Sequence, residues 1–264
     1  MNPVCVVKIG GALVDSGDSL AVLASQIRGL ARDWRVIVVH GGGPQATRMA
    51  RQNGHEPTII EGRRVTSALD LEFILATVCG VVNCRLVAEL VGAGLPAVGT
   101  SGAAARTVQV IKRLPWYVNG DFIDFGYVGD IETIDPALLR SLLHDGFVPV
   151  VASIGVDASG QLYNVNADTT AAAIAVAVEA QRFSIVTDSG GVRKDGRLVH
   201  YCDGSLYNSG REEGWIKDGM LVKLSAGFSA VESGVERVEI VGPDGLVSGA
   251  GTELVRSTVT VETP

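Results

Sequence analysis

Lys8 is the first residue of the chain whose type and place suggest chemistry. It interrupts an apolar, β-branched run, Val4 to Ile9, and stands two residues before the pair Gly10-Gly11. Burying an unpaired ammonium is costly, so a lysine in such a strand either reaches out along an edge or aims its charge at whatever the glycines hold. Glycine turns that leave strands and open helices gather free backbone N–H groups and the positive helix end at one point, which favours an anion. A second such turn, His40-Gly41-Gly42-Gly43-Pro44, follows the apolar run 35–39, with Pro44 suited to a first helical turn. Neither turn has the spacing of a P-loop or of a dinucleotide fingerprint. Two in succession, at neighbouring strand ends, point to an anion site at the carboxyl edge of a sheet.

Further along, Asn164-Val165-Asn166-Ala167-Asp168 puts two amides on one face of an extended segment and a carboxylate at the next helix start. Asp168 there is either an N-cap or a holder of cations, and Asn164 and Asn166 suit a polar ligand. Arg64, in Gly62-Arg63-Arg64-Val65-Thr66, has the fork that grips a carboxylate, while one of the two adjacent arginines is expected to form only a surface ion pair. Lys223 follows Asp218-Gly219-Met220 and by spacing alone reads as a solvated helical lysine. Of four histidines only His40 lies in a motif; without a Ser-His-Asp arrangement or metal-ligand spacing, hydrolytic and zinc chemistry find no support. Cys5, Cys79, Cys84 and Cys202 lack paired spacing and read as buried free thiols.

The elements that must position these residues alternate regularly. Strand 4–9 with helix 19–31, then strand 35–39 with helix 45–53, predict parallel strands joined by helical crossovers. The pattern 67–91 is helical and apolar nearly all round, so it is expected to be buried on several sides, inside the monomer or against a second subunit. Residues 107–130 read as hairpins over the main sheet, followed by helix 136–145, strand 147–154 and an Ala- and Thr-rich helix, 168–180. The alternation resumes with strand 183–187, a polar stretch to about 213, helix 217–232, strand 237–241 and a terminal strand within 249–255. This predicts an α/β fold: a three-layer αβα sandwich with a mostly parallel central sheet, and two lobes, 1–180 and 181–264, sharing one continuous sheet.

Composition agrees with a folded chain and narrows its partners. Of 264 residues 47% are hydrophobic and 19% charged, enough apolar area for a sizeable core. Against 29 acidic residues stand 22 basic ones, a net charge of −7 without a basic run, which argues against nucleic acid. No uninterrupted apolar stretch of membrane-spanning length and no basic-then-apolar leader pattern occur, so the expected place is the cytoplasm, with no membrane partner.

Taken together, Val7-Lys8-Ile9-Gly10-Gly11, Val39-His40-Gly41-Gly42-Gly43-Pro44, Gly62-Arg63-Arg64-Val65-Thr66, Asn164-Val165-Asn166-Ala167-Asp168, Thr187-Asp188 and Asp218-Gly219-Met220-Leu221-Val222-Lys223 resemble the amino acid kinase family, most closely its bacterial branch that acts on N-acetylglutamate. The resemblance runs over nearly the whole chain, 126–132 and 148–155 included. It implies the amino acid kinase fold and ATP-dependent phosphorylation of the side-chain carboxylate of N-acetyl-L-glutamate, the second step of arginine synthesis. By position, Lys8 and Lys223 match the family's transition-state lysines and Asp168 the carboxylate that orients them. Gly42, Gly43, Arg64 and Asn164, with Asn166 beside them, match the acyl-amino-acid site, Arg64 taking the α-carboxylate. ATP would lie on Gly10 and Gly11, on Asp188, Ser189, Gly190, Gly191, Val192 and Arg193, and on Trp215, Ile216 and Lys217. Mg²⁺ would be bound through the phosphates, with no protein metal site.

The resemblance also implies alternatives: a kinase for a related acyl amino acid, such as carrier-linked aminoadipate, or a ligand sensor of the same fold. A Rossmann dehydrogenase lacks its fingerprint here. The chain departs from the branch's pattern at Ala103-Ala104-Ala105-Arg106, where an acidic residue and glycine are usual, at Cys84 and at Gly190-Gly191. A homodimer built on 67–91 is expected. Arginine-inhibited relatives carry an extra amino-terminal helix, and only Met1 to Pro3 precede the first strand here, so inhibition by arginine through that arm is not expected.

Overall fold

The computed structural model describes residues 2–118 and 120–256. Its central sheet has eight strands in the order Tyr201–Cys202, Gly251–Leu254, Arg237–Val241, Arg182–Val186, Val4–Ile9, Arg35–His40, Val148–Ala152, Ala97–Ser101. Six run parallel; Gly251–Leu254 pairs antiparallel with Arg237–Val241 and carries Tyr201–Cys202 with it. The inner strands are buried on both faces, which is why they read as continuous Val/Ile runs rather than as alternating patterns.

Side chains of period two divide these strands between two cores. Val4, Val6, Ile37, Val39, Phe183 and Ile185 face the helices Ala137–His144, Ala167–Ala177 and Asp218–Glu232. Cys5, Val7, Ile9, Val36 and Val38 face Gly17–Leu30 and the carboxyl half of a long helix ending at Gly92. This is the αβα sandwich that the alternation predicts. Lys8 falls in the Val4, Val6 series and His40 in the Val36, Val38 series, so the two polar strand ends address opposite layers.

A second sheet, Leu162–Asn164, Ile154–Val156, Val108–Lys112 and Gly129–Ile134, stands at the carboxyl edge of the first, and the short hairpin strands Trp116–Val118 and Asp121–Ile123 extend from it. The long apolar pattern is one helix, Ala68–Gly92, opened by a capping box in which Ser67 and Asp70 exchange bonds. Its stretch Leu75–Val82 takes wider i to i+5 turns, a local change that no hydrophobic period reveals. By length and composition this helix could cross a membrane; here Val78, Val82, Leu86 and Leu90 are buried in the cores, while Leu69, Val81 and Val91 stay exposed.

Some expectations need correction. The polar stretch before 213 contains a helix, Gly204–Glu212, capped by Asp203, and its weak apolar face hid it. Cys84 is exposed and Cys79 half-buried, so only Cys5 and Cys202 are buried thiols; the outer face of the helix, with Leu69, Val81 and Val91, is not covered. At the departure Ala103–Arg106, Ala105 and Arg106 take φ of 47° and 56°, conformations a glycine adopts without Cβ strain.

Candidate active site

Lys8, Asp168 and Lys223 meet, although they lie far apart in the chain. The strand Val4–Ile9 aims Lys8 at the layer formed by Ala167–Ala177 and Asp218–Glu232, and alanines at 171, 172 and 175 let those helices pack closely. Lys8 Nζ is 2.8 Å from Asp168 Oδ1, and Lys223 Nζ donates to Asp168 Oδ2 at 3.5 Å. All three are largely buried, with side-chain exposures of 6%, 8% and 17% for Lys8, Asp168 and Lys223. Burial pushes the Lys8 ammonium below its ordinary range; the Asp168 carboxylate opposes that shift and Lys223 adds to it. Each Asp168 oxygen thus faces one lysine, Oδ1 the closer Lys8 and Oδ2 the more distant Lys223. Two cations on one carboxylate leave a positive charge in a poorly solvated place, suited to a mobile anion.

Asp168 is available for this because it is not the cap. Asn166 caps the helix Ala167–Ala177, its Oδ1 accepting from the backbone N–H groups of Asp168 and Thr169 at 2.9 and 3.0 Å. Beside the cluster opens a cavity of about 260 Å³. Gly11, Gly42, Gly43, Arg64, Asn164 and Asn166 line it together with Lys8 and Asp168. The N-terminus of Gly43–Gln52 thus adjoins the cavity, and Pro44 removes a donor that would lack a partner. Gly11 has its place because an added Cβ would meet Gln45, Pro44 and Gly42 within 3.1–3.4 Å, where the two glycine turns pack together.

Arg64 is held at the cavity wall. Its Nη2 donates to Gly43 O at 3.2 Å and to Thr47 Oγ1, and its Nη1 is 3.7 Å from buried Asp70, the capping-box carboxylate. Burial lowers the Arg64 guanidinium pKa and Asp70 raises it. Asn164 Nδ2 donates to Thr66 Oγ1 at 3.3 Å.

Arg63 is no bystander, contrary to the expectation that one of the arginine pair serves only at the surface. It lines the cavity with Arg113, and the two guanidinium groups lie 4.4 and 4.7 Å from the Trp116 ring centroid. Arg113 is anchored on Asp130. The Ser67-to-Asp70 spacing was a readable capping signal; the Arg63–Trp116–Arg113 stack depends on the hairpin folding back and had none.

Of the segments expected to hold nucleotide, the first glycine turn reaches this cavity through Gly11, whereas 188–193 and 215–217 do not line it and adjoin each other. Lys194, next to the 188–193 turn, pairs with Glu213 at 3.0 Å and stands 5.1 Å from the Trp215 ring centroid. Asp188, Ser189 and Lys217 are exposed; Val192 and Ile216 are buried in the core, which leaves only their backbone for a ligand. Arg193 bends back to Ser189 O and Gly196 O, and Ser189 Oγ donates to Gly191 O. Gly10 N donates to Val186 O, tying the first glycine turn to the strand that leads into Asp188. No group of three His, Cys, Asp or Glu side chains that could hold a metal occurs among the described residues.

The profile of the amino acid kinase family matches residues 3–242. The chain belongs to the amino acid kinase family. It is 39% identical over 251 residues to a protein named acetylglutamate kinase from Methanopyrus kandleri, covering 94% of this chain and 98% of that one. It is 38% identical to the protein of that name from Symbiobacterium thermophilum, covering 89% and 83%. Among solved structures, smu.665 from Streptococcus mutans superposes with a TM-score of 0.82 at 28% identity, covering 97% of this chain and 99% of that one. N-acetylglutamate synthase from Neisseria gonorrhoeae, solved with coenzyme A and N-acetyl-glutamate, gives 0.82 at 26% identity; the match covers 97% of this chain and 60% of the synthase. Family membership accounts for the α/β architecture with its large, mostly parallel central sheet.

Proposed function

We propose that this member of the amino acid kinase family transfers the γ-phosphoryl group of ATP to the side-chain carboxylate of N-acetyl-L-glutamate, giving N-acetyl-L-glutamyl 5-phosphate, as a step of arginine biosynthesis. The observation that carries this reading is the Lys8–Asp168–Lys223 cluster, of which Lys8 and Asp168 line a cavity that Arg64 and Asn164 also line. The names of the relatives support the substrate.

A carboxylate oxygen of the acceptor attacks the γ-phosphorus while the bond to the departing ADP oxygen breaks. Such a transfer between anions requires alignment and charge neutralisation more than covalent catalysis. Lys8 and Lys223 bind the moving phosphoryl oxygens, and Asp168 holds the two ammonium groups at its spacing. The N–H groups at Gly11, Gly42 and Gly43 take further oxygens, Arg64 binds the α-carboxylate, and Asn164 and Asn166 bind the acylated amine. Residues 181–264 supply the nucleotide contacts, through 188–193 and 215–217, and residues 1–180 the acyl site. Mg²⁺ would be carried by the phosphates and, when bound, would neutralise their charge. The enzyme works in the cytoplasm as a homodimer that covers the exposed Leu69, Val81 and Val91 of the helix Ala68–Gly92.

The test is ATP-dependent turnover trapped as hydroxamate, with N-acetylglutamate, glutamate and N-acetylaspartate in parallel. Strong preference for N-acetylglutamate is expected. Equal turnover of all three, or turnover of none, would remove the assignment.

A further inference from the structure

His40 is completely buried at the end of its strand, on the layer opposite Lys8. Its Nδ1 lies 2.9 Å from Gly41 O and its Nε2 lies 2.9 Å from Asn83 Nδ2. The chemistry of the neighbours assigns the roles of the two ring nitrogens. Asn83 Nδ2 also faces Val150 O at 2.9 Å and Thr100 O at 3.3 Å, and carbonyls only accept, so this atom is the amide nitrogen. His40 Nε2 must then accept, the ring proton resides on Nδ1, and Nδ1–H donates to Gly41 O. Burial pushes the imidazole down to about 4, which keeps this neutral form.

The bond decides how the glycine turn faces. In a trans peptide the C=O of Gly41 and the N–H of Gly42 point in opposite directions. With Gly41 O turned toward the His40 ring and the helix that bears Asn83, the Gly42 N–H is turned the other way, toward the cavity that Gly41, Gly42 and Gly43 line. Asn83 in turn is fixed by two strands, and close packing preserves the fit: a Cβ on Gly99 would stand 2.2 Å from Asn83 Oδ1, and one on Gly42 2.9 Å from Val78.

We propose that His40 and Asn83 are positioning residues for phosphoryl transfer, a buried relay that holds the Gly41–Gly42 peptide so that its N–H meets the transferring phosphoryl group. The proposal rests on the kinase reading above. It differs from simple core packing because the two ring nitrogens have unequal value: Nδ1 turns the catalytic peptide, whereas Nε2 only anchors the ring.

Two variants separate them. His40→Asn keeps a donor at the Nδ1 position and loses the Nε2 acceptor; His40→Gln keeps an acceptor near Nε2 and loses the donor to Gly41. Hydroxamate turnover, thermal melting and the long-range ¹H–¹⁵N spectrum of the wild-type histidines are measured together. A misaimed oxyanion donor is expected to lower kcat of His40→Gln about tenfold or more, with KM for N-acetylglutamate within about twofold, while His40→Asn retains kcat within about threefold at a similar loss of Tm. The spectrum is expected to place the His40 proton on Nδ1. Equal kcat for the two variants, or a proton on Nε2, overturns the relay. The tautomer is read on the wild type, so it decides even where a variant fails to fold. Wild-type protein inactive with N-acetylglutamate would defeat the substrate reading instead, a separate outcome from either of these.

Discussion

Two buried clusters in this molecule have the same composition, two cations around one carboxylate, and opposite character. At the amino ends of the strands Arg182–Val186 and Arg237–Val241, Glu239 Oε1 accepts from Arg182 and, at 2.7 Å, from Ser184 Oγ, and Glu239 Oε2 accepts from Arg237 Nε at 2.8 Å. Arg182 adds a bond to Leu246 O, and Arg182 and Glu239 are almost wholly buried. Both carboxylate oxygens there are occupied. At the carboxyl end, on the other face, Asp168 meets Lys8 at 2.8 Å and Lys223 only at 3.5 Å, and Lys8 and Asp168 line a cavity. The first cluster is closed by hydrogen bonds that tie strands together, whereas the second borders a cavity and holds one of its cations loosely. Charge count alone does not distinguish two such clusters; how tightly each is closed does.

Removing the central carboxylate should therefore act differently at the two ends. Glu239→Ala leaves Arg182 buried and uncompensated, and the expected loss is about 3–5 kcal/mol of unfolding free energy in urea, with kcat per folded molecule unchanged. A loss below about 1 kcal/mol would show that the first cluster does not tie the strands together.

A smaller effect separates the two ends by pH. His40, behind the glycine turn, has its imidazole pushed down to about 4 by burial. The unfolded chain binds that proton near its ordinary pKa of about 6.5, so stability is full above about pH 6.5 and is lost as pH falls toward 4, about 3 kcal/mol in all. Urea midpoints measured across that window should fall in the wild type and fall less in His40→Asn. Parallel slopes in both proteins would assign the acid lability to other groups.

Much of this arrangement is legible in the order of residues, and the rest is hidden for physical reasons. Lys8 stands out because a cation inside an apolar strand needs a partner, but that the partner is Asp168, in the layer Lys8 faces, is seen only in the fold. Asp168 is visible as a carboxylate at a helix start, though the capping role that such a place suggests belongs to Asn166. Lys223 carries no signal of its own; only the resemblance to a family singled it out. The links between His40 and Asn83, and between Arg63, Trp116 and Arg113, exist only once distant segments pack, so no local spacing encodes them. The wide turns at Leu75–Val82 are invisible because a helix apolar all round has no phase to shift.

The central claim is that the cavity-side cluster performs the transfer, and Lys223→Ala tests it most directly, since Lys223 is the more loosely held and more exposed of the two lysines. Steady-state hydroxamate turnover should show kcat reduced about 10²–10³-fold, with KM for N-acetylglutamate changed by less than about threefold, because the contact strengthens only as charge moves in the transition state. A kcat within about threefold of the wild type would contradict the account.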